Sequence, residues 1–269
     1  KGIFSMKYFL IWLLLAGWTT TAMAFPKEDC GEQRCTDCHS LSKAEAGFLV
    51  GSGADRVLKV EKSDMPGVWA VEVEKGGRKY PVYINYSKTH LLRGEVLRLK
   101  DGENLTKLRM ASLNRVDVSR IALEDALVVG DPQAKKRVIV FTDPQCHFCA
   151  KLHGELPEVV ARDPKIVFYI KMLPLPMHPE AYNIAKSIVC NQSLDLLEAS
   201  FADKPVPPPL CRAEAVDKTI ALARKLGIRS TPTLVLPDGR PFSGYRPADR
   251  LLKLLDSPAG ADSANAGQQ

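Results

Sequence analysis

Two cysteines two residues apart, Cys146-His147-Phe148-Cys149, follow the apolar run Val138-Ile139-Val140-Phe141 and open a segment with helical character. In a strand–Cys-x-x-Cys–helix unit the first sulfur sits at the positive end of a helix, where unpaired N–H groups and the macrodipole stabilise a thiolate. The thiolate, not the thiol, attacks disulfides. The spacing lets the second thiol fold back on the first, so a mixed disulfide formed at Cys146 is resolved from within by Cys149. Paired cysteines also make half of a zinc site, and His153 lies four residues beyond Cys149. Zinc usually takes a second Cys or His pair at matching spacing, and the strand-then-helix context favours a dithiol redox reading with no metal.

Thr231-Pro232 stands immediately before the apolar strand candidate Thr233-Leu234-Val235-Leu236. Proline lacks a backbone donor there, which is a liability unless it faces a turn or an active site. A cis peptide before Pro232 would turn the Thr231 backbone outward beside Cys146 and offer its N–H and C=O groups to an extended substrate chain.

The elements that must position these residues fall in two halves. From Val57 to Leu99 the chain reads as short strands, Val57–Val60, Trp69–Val73, Tyr80–Asn85 and Glu95–Leu99, separated by Gly-rich or Asp-Gly turns. Such a sheet buries little alone, so a partner surface is expected and dimerisation follows from it. Ser119–Val129 reads as a connecting helix, with Ser119 as N-cap and Gly130 after its end. Beyond Gly130 strands and helices alternate: strands Lys136–Thr142, Ile166–Lys171 and Thr233–Leu236, and helices Cys149–Arg162, Pro179–Cys190, Leu194–Phe201, Ala213–Leu226 and Ala248–Asp256. Pro241–Ser243 is placed to pair back across the last strand. The apolar faces of such strands must be covered by helices.

At the start, Met6-Lys7 precedes a short apolar stretch from Tyr8 to Ala16, and Ala22-Met23-Ala24 has the small-x-small form of a signal-peptidase site. Export with cleavage after Ala24 is expected. The apolar stretch is too short for a permanent span, and Lys27-Glu28-Asp29 before Cys30 argues against a lipoprotein anchor. Cleavage removes Lys1 and Lys7 and no acids, lowering the formal net charge from +6 to +4. Basic residues are scattered among acids, so nucleic-acid binding has little support.

Seven cysteines in an exported chain need partners or uses. Cys146 and Cys149 form one pair. Cys190, closing the pattern Ile184-Ala185-Ile188-Val189, and Cys211, after the stiff run Pro205–Pro209, read as a structural disulfide. By the chain-entropy estimate a loop of that size contributes about 3 kcal/mol.

The segment Phe141-Thr142-Asp143-Pro144-Gln145-Cys146-His147-Phe148-Cys149 with Lys151-Leu152-His153, the Cys190/Cys211 pair around a Pro-rich stretch, Ser230-Thr231-Pro232-Thr233 and Gly244-Tyr245 together resemble the periplasmic disulfide isomerases of the DsbC/DsbG family. The match covers most of residues 45–256. The resemblance implies a C-terminal thioredoxin fold with a helical insertion, preceded by a small, mainly-β dimerisation domain and a linker helix, an α+β and α/β architecture. The implied domains are a signal peptide at 1–24, a segment at 25–43, the dimerisation domain at 44–115, the linker helix at 116–130, the catalytic domain at 131–256 and a disordered tail at 257–269. It further implies a V-shaped homodimer with a chaperone-like cleft, misfolded disulfide-containing exported proteins as substrates, and a membrane reductant of the DsbD type. Cys146 attacks and Cys149 rescues, while His147, Phe148, Thr231 and Pro232 support the site; the dithiol chemistry needs no cofactor. The intervening His-Phe replaces the Gly-Tyr of the best-known isomerase. A protonated His147 stabilises a thiolate, or it is a surface histidine with no charge role. The alternative within the family is a DsbG-like chaperone and thiol-protecting reductase.

One motif lies outside that resemblance. Cys35-Thr36-Asp37-Cys38-His39 has the form of a c-type haem attachment site, with both sulfurs bonded to the haem and His39 ligating iron. Met65, His90 and Met110 are distal-ligand candidates by residue type alone. The alternatives are a disulfide among Cys30, Cys35 and Cys38, or a second small dithiol before a histidine. A haem-bearing electron-transfer protein is thus a further reading.

Overall fold

The computed structural model describes residues 39–257, and the chain divides into one unit of residues 1–41 and a second of 42–269. Cys30, Cys35, Cys38, the expected signal segment and the C-terminal tail from residue 258 lie outside the described residues.

The second unit opens with helix α1 (Lys43–Val50), whose first turn is capped by the Ser42 hydroxyl accepting the Glu45 N–H at 3.2 Å. Strands β1 (Arg56–Lys62), β2 (Val68–Lys75), β3 (Arg78–Asn85) and β4 (Leu91–Leu92) then form an antiparallel sheet in chain order. Lys75 pairs with Arg78 across Gly76-Gly77, both at positive φ (55° and 73°). That two-residue turn matches the twist of the strands and needs glycine. The β2 and β3 residues Trp69, Val71, Val73, Val82 and Ile84 are buried.

Two parts of this half depart from expectation. Only Leu97–Arg98 of Glu95–Leu99 is a strand, β5, and it pairs with β6 (Glu103–Asn104) in a separate hairpin rather than joining the sheet. The reversal at Asp101-Gly102, where Arg98 grips Asp101 with three hydrogen bonds, returns the chain on itself. Then Leu105–Leu113 forms helix α2, N-capped by Asn104, in a region expected to be mainly β. It lies on β3, where Thr106 bonds the Tyr83 hydroxyl at 2.9 Å and its Arg109 is buried against Glu61 and Glu72.

The linker helix expected at 116–130 is absent, which corrects that reading. Val118–Arg120 is a single 3-10 turn capped by Asp117, and the Ser119 hydroxyl bonds Asp117 instead of capping a helix. Leu127–Val129 is a strand, β7, antiparallel to β9 (Ile166–Met172). Two forces override the local helical pattern. The β-branched Val128 and Val129 suit the open edge of β9, and Asp125 is drawn to the buried Lys171 of β9, whose ammonium also donates to the Ala122 carbonyl at 2.8 Å. The catalytic domain therefore begins before residue 131.

The second sheet has the order β11-β10-β8-β9-β7, from β8 (Lys136–Thr142), β10 (Thr233–Val235), β11 (Pro241–Ser243) and the two strands above. β8 and β9 are parallel and the other pairs antiparallel. Both faces are covered, so the central strands are almost continuously apolar. Val138, Val140, Phe168 and Ile170 face a core with Leu152, Leu156 and Val159 of α3 (His147–Arg162), Ile188 of α4 (Ala181–Asn191), Leu197 of α5 (Leu194–Phe201) and Leu251 of α7 (Ala248–Asp256). By the two-residue alternation Ile139 and Phe141 turn the other way, toward Ala223 of α6 (Glu214–Lys225) and Ile121. Cys190 at the end of α4 is joined to Cys211 before α6 by a disulfide, with Cα atoms 5.7 Å apart.

Candidate active site

Strand β8 ends at Thr142 and the turn Asp143-Pro144-Gln145 delivers Cys146 to the N-cap of α3. The helix starts there because the Cys146 carbonyl accepts the N–H groups of both Cys149 (2.9 Å) and Ala150 (3.0 Å). Cys146 is half-buried and Cys149 is 1% exposed. The first sulfur thus meets solvent at the positive end of a helix of 16 residues, and the second is shielded behind it.

Their environments separate the two thiols chemically. Burial pushes the Cys149 thiol up to about 12, an effect opposed in part by the Asp143 backbone N–H, which donates to Cys149 Sγ at 3.4 Å. Desolvation disfavours the charged form, so Cys149 stays a thiol at neutral pH. Only the Cys146 end of the pair is open to an incoming disulfide.

The Thr231-Pro232 peptide is cis, and Cys146 Sγ donates to the Thr231 carbonyl at 3.6 Å. Pro232 is buried, and its carbonyl accepts the Gly244 N–H at 2.8 Å, which fastens this loop to the strand end before Tyr245. His147 and Phe148 project outward with their rings edge to face at 5.8 Å. Phe148 is 56% exposed. Phe148, Met177 and Tyr245 are large exposed apolar side chains in this half.

His153, the residue the sequence offered for recruitment to a zinc site, has other neighbours. Its Nε2 lies 3.4 Å from Glu198 Oε1 and its ring packs on Phe201. Among the described residues no group of three or more His, Cys, Asp or Glu is arranged to hold a metal ion. Of the distal-ligand candidates, His90 is held in the turn after β3 by Thr89 and Asn85, and Met65 and Met110 are half-buried. The haem-attachment cysteines Cys35 and Cys38 lie outside the described residues.

Two residues that sequence reasoning did not single out belong to the site. Asp143 is fully buried, and its carboxylate accepts the N–H groups of Gln145 and Leu175 and the Nδ1 of His178. Asp143 was visible three residues before Cys146. His178 lies 35 positions from Asp143 in a Pro-rich loop, and nothing in the linear pattern joins them.

A thioredoxin-like domain model matches residues 123–258. Among curated relatives, a probable thiol:disulfide interchange protein DsbC of Bordetella avium is 27% identical over 68% of this chain and 64% of its own length. The thiol:disulfide interchange protein DsbC of Dickeya dadantii is 29% identical over 74% of this chain and 80% of its own length. The chain thus spans just under two thirds of the first relative and more of the second. Among solved structures, a disulfide interchange protein from Neisseria gonorrhoeae is 30% identical, with a TM-score of 0.42 over 50% of this chain and 96% of that one. A central sheet with helices on both faces, a Cys-x-x-Cys pair at a helix N-terminus facing a cis-proline loop, and relatives named as DsbC thiol:disulfide interchange proteins agree: the chain belongs to the thioredoxin-like family.

Proposed function

We propose that the protein is an exported thiol:disulfide oxidoreductase that isomerises or reduces incorrect disulfides in other exported proteins. The observation that carries this reading is the placement of Cys146 Sγ at the N-terminus of α3 and against the Thr231 carbonyl, with Cys149 buried behind it.

The steps follow from that geometry. The Cys146 thiolate attacks one sulfur of a substrate disulfide, forming a mixed disulfide and releasing the other sulfur as a substrate thiolate. In isomerisation that thiolate attacks a second substrate disulfide, and a substrate thiolate finally attacks the mixed disulfide. Cys146 returns as a thiolate with no net oxidation. In reduction, Cys149 loses its proton and attacks Cys146 Sγ, so the substrate leaves as a dithiol and a Cys146–Cys149 disulfide remains. Two electrons from a membrane reductant of the DsbD type restore the pair. An extended substrate chain aligns its backbone along the Thr231-Pro232 loop, with Phe148 offering apolar contact.

The N-terminal sheet supports a homodimer. Leu91, Leu92, Leu97 and Leu99 are exposed by 37%, 49%, 54% and 99%, a concentration of bare leucine around the β4 edge and the β5–β6 hairpin that a second copy would cover. A dimer also gives the unfolded substrate a sheltered surface, the chaperone element of this reading. Purified protein is expected to reactivate a scrambled multi-disulfide substrate and Cys146→Ala to abolish this; full activity in the variant overturns the mechanism.

A further inference from the structure

Asp143 links a solvent-facing imidazole to both cysteines. Its carboxylate, 0% exposed, takes Gln145 N–H on Oδ1 at 2.8 Å, Leu175 N–H on Oδ2 at 2.7 Å and His178 Nδ1 on Oδ2 at 2.9 Å. An ionised carboxylate only accepts, so the Nδ1 proton of His178 is assigned by this network. Through its main chain the same residue accepts the Cys146 N–H at 3.1 Å and donates its own N–H to Cys149 Sγ at 3.4 Å. The His178 side chain is 26% exposed, so one end of this hydrogen-bonded chain reaches water and the other reaches the sulfurs.

A negative charge on a residue whose main chain is bonded to both cysteines opposes formation of a thiolate there. Here the hydrogen bond from His178 draws the Asp143 carboxylate toward the Leu173–Pro179 loop, where Leu175 N–H also holds it. Resting on the reading of Cys146 and Cys149 as the redox pair, we propose that His178 is a positioning residue for that pair: by holding and offsetting Asp143 it sets how readily Cys146 ionises and how readily the dithiol oxidises. Without His178 the carboxylate acts on the sulfurs uncompensated. The thiolate is destabilised, the reduced form loses its advantage, and the pair becomes more reducing.

The test is a thermodynamic cycle on the full chain. The equilibrium with glutathione and the ultraviolet thiolate absorbance that disappears in Cys146→Ser are measured for wild type, His178→Phe, His178→Asn, Asp143→Asn and the Phe/Asn double variant. His178→Phe is expected to move the redox equilibrium about threefold or more toward the disulfide and to raise the pH at which Cys146 ionises. His178→Asn, which keeps a donor near the Nδ1 position, restores most of the wild-type value. Asp143→Asn moves both readouts the opposite way, and in its background His178→Phe has no further effect, because the charge it offset is gone. A His178→Phe protein with wild-type equilibrium and ionisation overturns the proposal, as does a shift that persists undiminished beside Asp143→Asn. Should His178→Phe not fold, an Asp143→Asn protein indistinguishable from wild type overturns it alone. A wild-type chain with no reversible Cys146–Cys149 disulfide sinks the redox reading itself, whereas a redox-active wild type with unmoved variants sinks only the role of His178.

Discussion

The sulfur of Cys146 and the carbonyl oxygen of Thr231 stand 3.6 Å apart although 85 positions separate them in the chain. β8 carries the first to the helix, and β10, its antiparallel neighbour, carries the second. Phe141 pairs with Thr233, so the loop before β10 arrives beside the turn after β8. The nucleophile and a backbone group able to hold a substrate strand are thus brought together by one register.

The two cysteines should fail in different ways. Cys146→Ala removes the attacking sulfur and is expected to give no mixed disulfide with any substrate. Cys149→Ala keeps attack but removes internal rescue, so mixed disulfides should accumulate and survive on non-reducing gels after acid quenching. Accumulation in Cys146→Ala and not in Cys149→Ala would reverse the assigned roles.

Burial raises the Cys149 thiol from its ordinary 9.0 to about 12. Above pH 9 the unfolded chain releases this proton while the folded reduced protein keeps it, so stability is full below that pH and declines as pH rises toward 12. The slope is about 1.4 kcal/mol per pH unit for one group. Urea midpoints of the reduced protein should fall from pH 9 to 10.5 relative to Cys149→Ala, and the oxidised protein, with no Cys149 proton to lose, should lack this component.

Removing the Cys190–Cys211 bond frees a loop spanning 21 positions between α4 and α6. The Cys190→Ala/Cys211→Ala protein is expected to be about 3 kcal/mol less stable in urea. Thiol exchange at Cys146 should survive at low temperature, because neither residue touches it. Loss of exchange in a folded variant would place this bond in the site.

Lys171 and Asp125 form a buried pair, with side chains 4% and 17% exposed. Lys171→Met alone leaves a carboxylate short of its partner and should cost about 3 kcal/mol or more, whereas Lys171→Met/Asp125→Leu should recover most of that. Chemical denaturation of the three proteins checks the ordering. An additive double variant would show that the pair does not hold the segment before β7 to the sheet.

Oligomeric state reports on the N-terminal sheet. Leu92→Lys/Leu99→Lys adds charge where leucines stand exposed and should convert a dimer to monomers in sedimentation, with little change in melting temperature. A wild-type chain that sediments as a monomer would exclude the dimer.

Much of the catalytic half was legible in the linear pattern. The apolar runs of β8 and β9, the periodicity of α4 to α7 and the two-cysteine spacing are local properties, and local backbone and side-chain preferences suffice to read them. The expected helices Leu194–Phe201 and Ala248–Asp256 have those bounds in the structure. The Ser119–Val129 segment misled because its spacing suits a helix, while the open edge of β9 pairs with it from Phe168–Ile170 and the charge of Lys171 lies 46 positions beyond Asp125.

By itself, then, the sequence determined the thioredoxin-like order of elements and the dithiol at a helix start, because both depend on neighbours in the chain. The tertiary structure alone decided which thiol is buried, that Asp125 answers Lys171, and that His178 meets the Asp143 whose main chain holds both cysteines. Burial and hydrogen-bond partnership arise from residues that are distant in sequence and adjacent only after the sheet has closed.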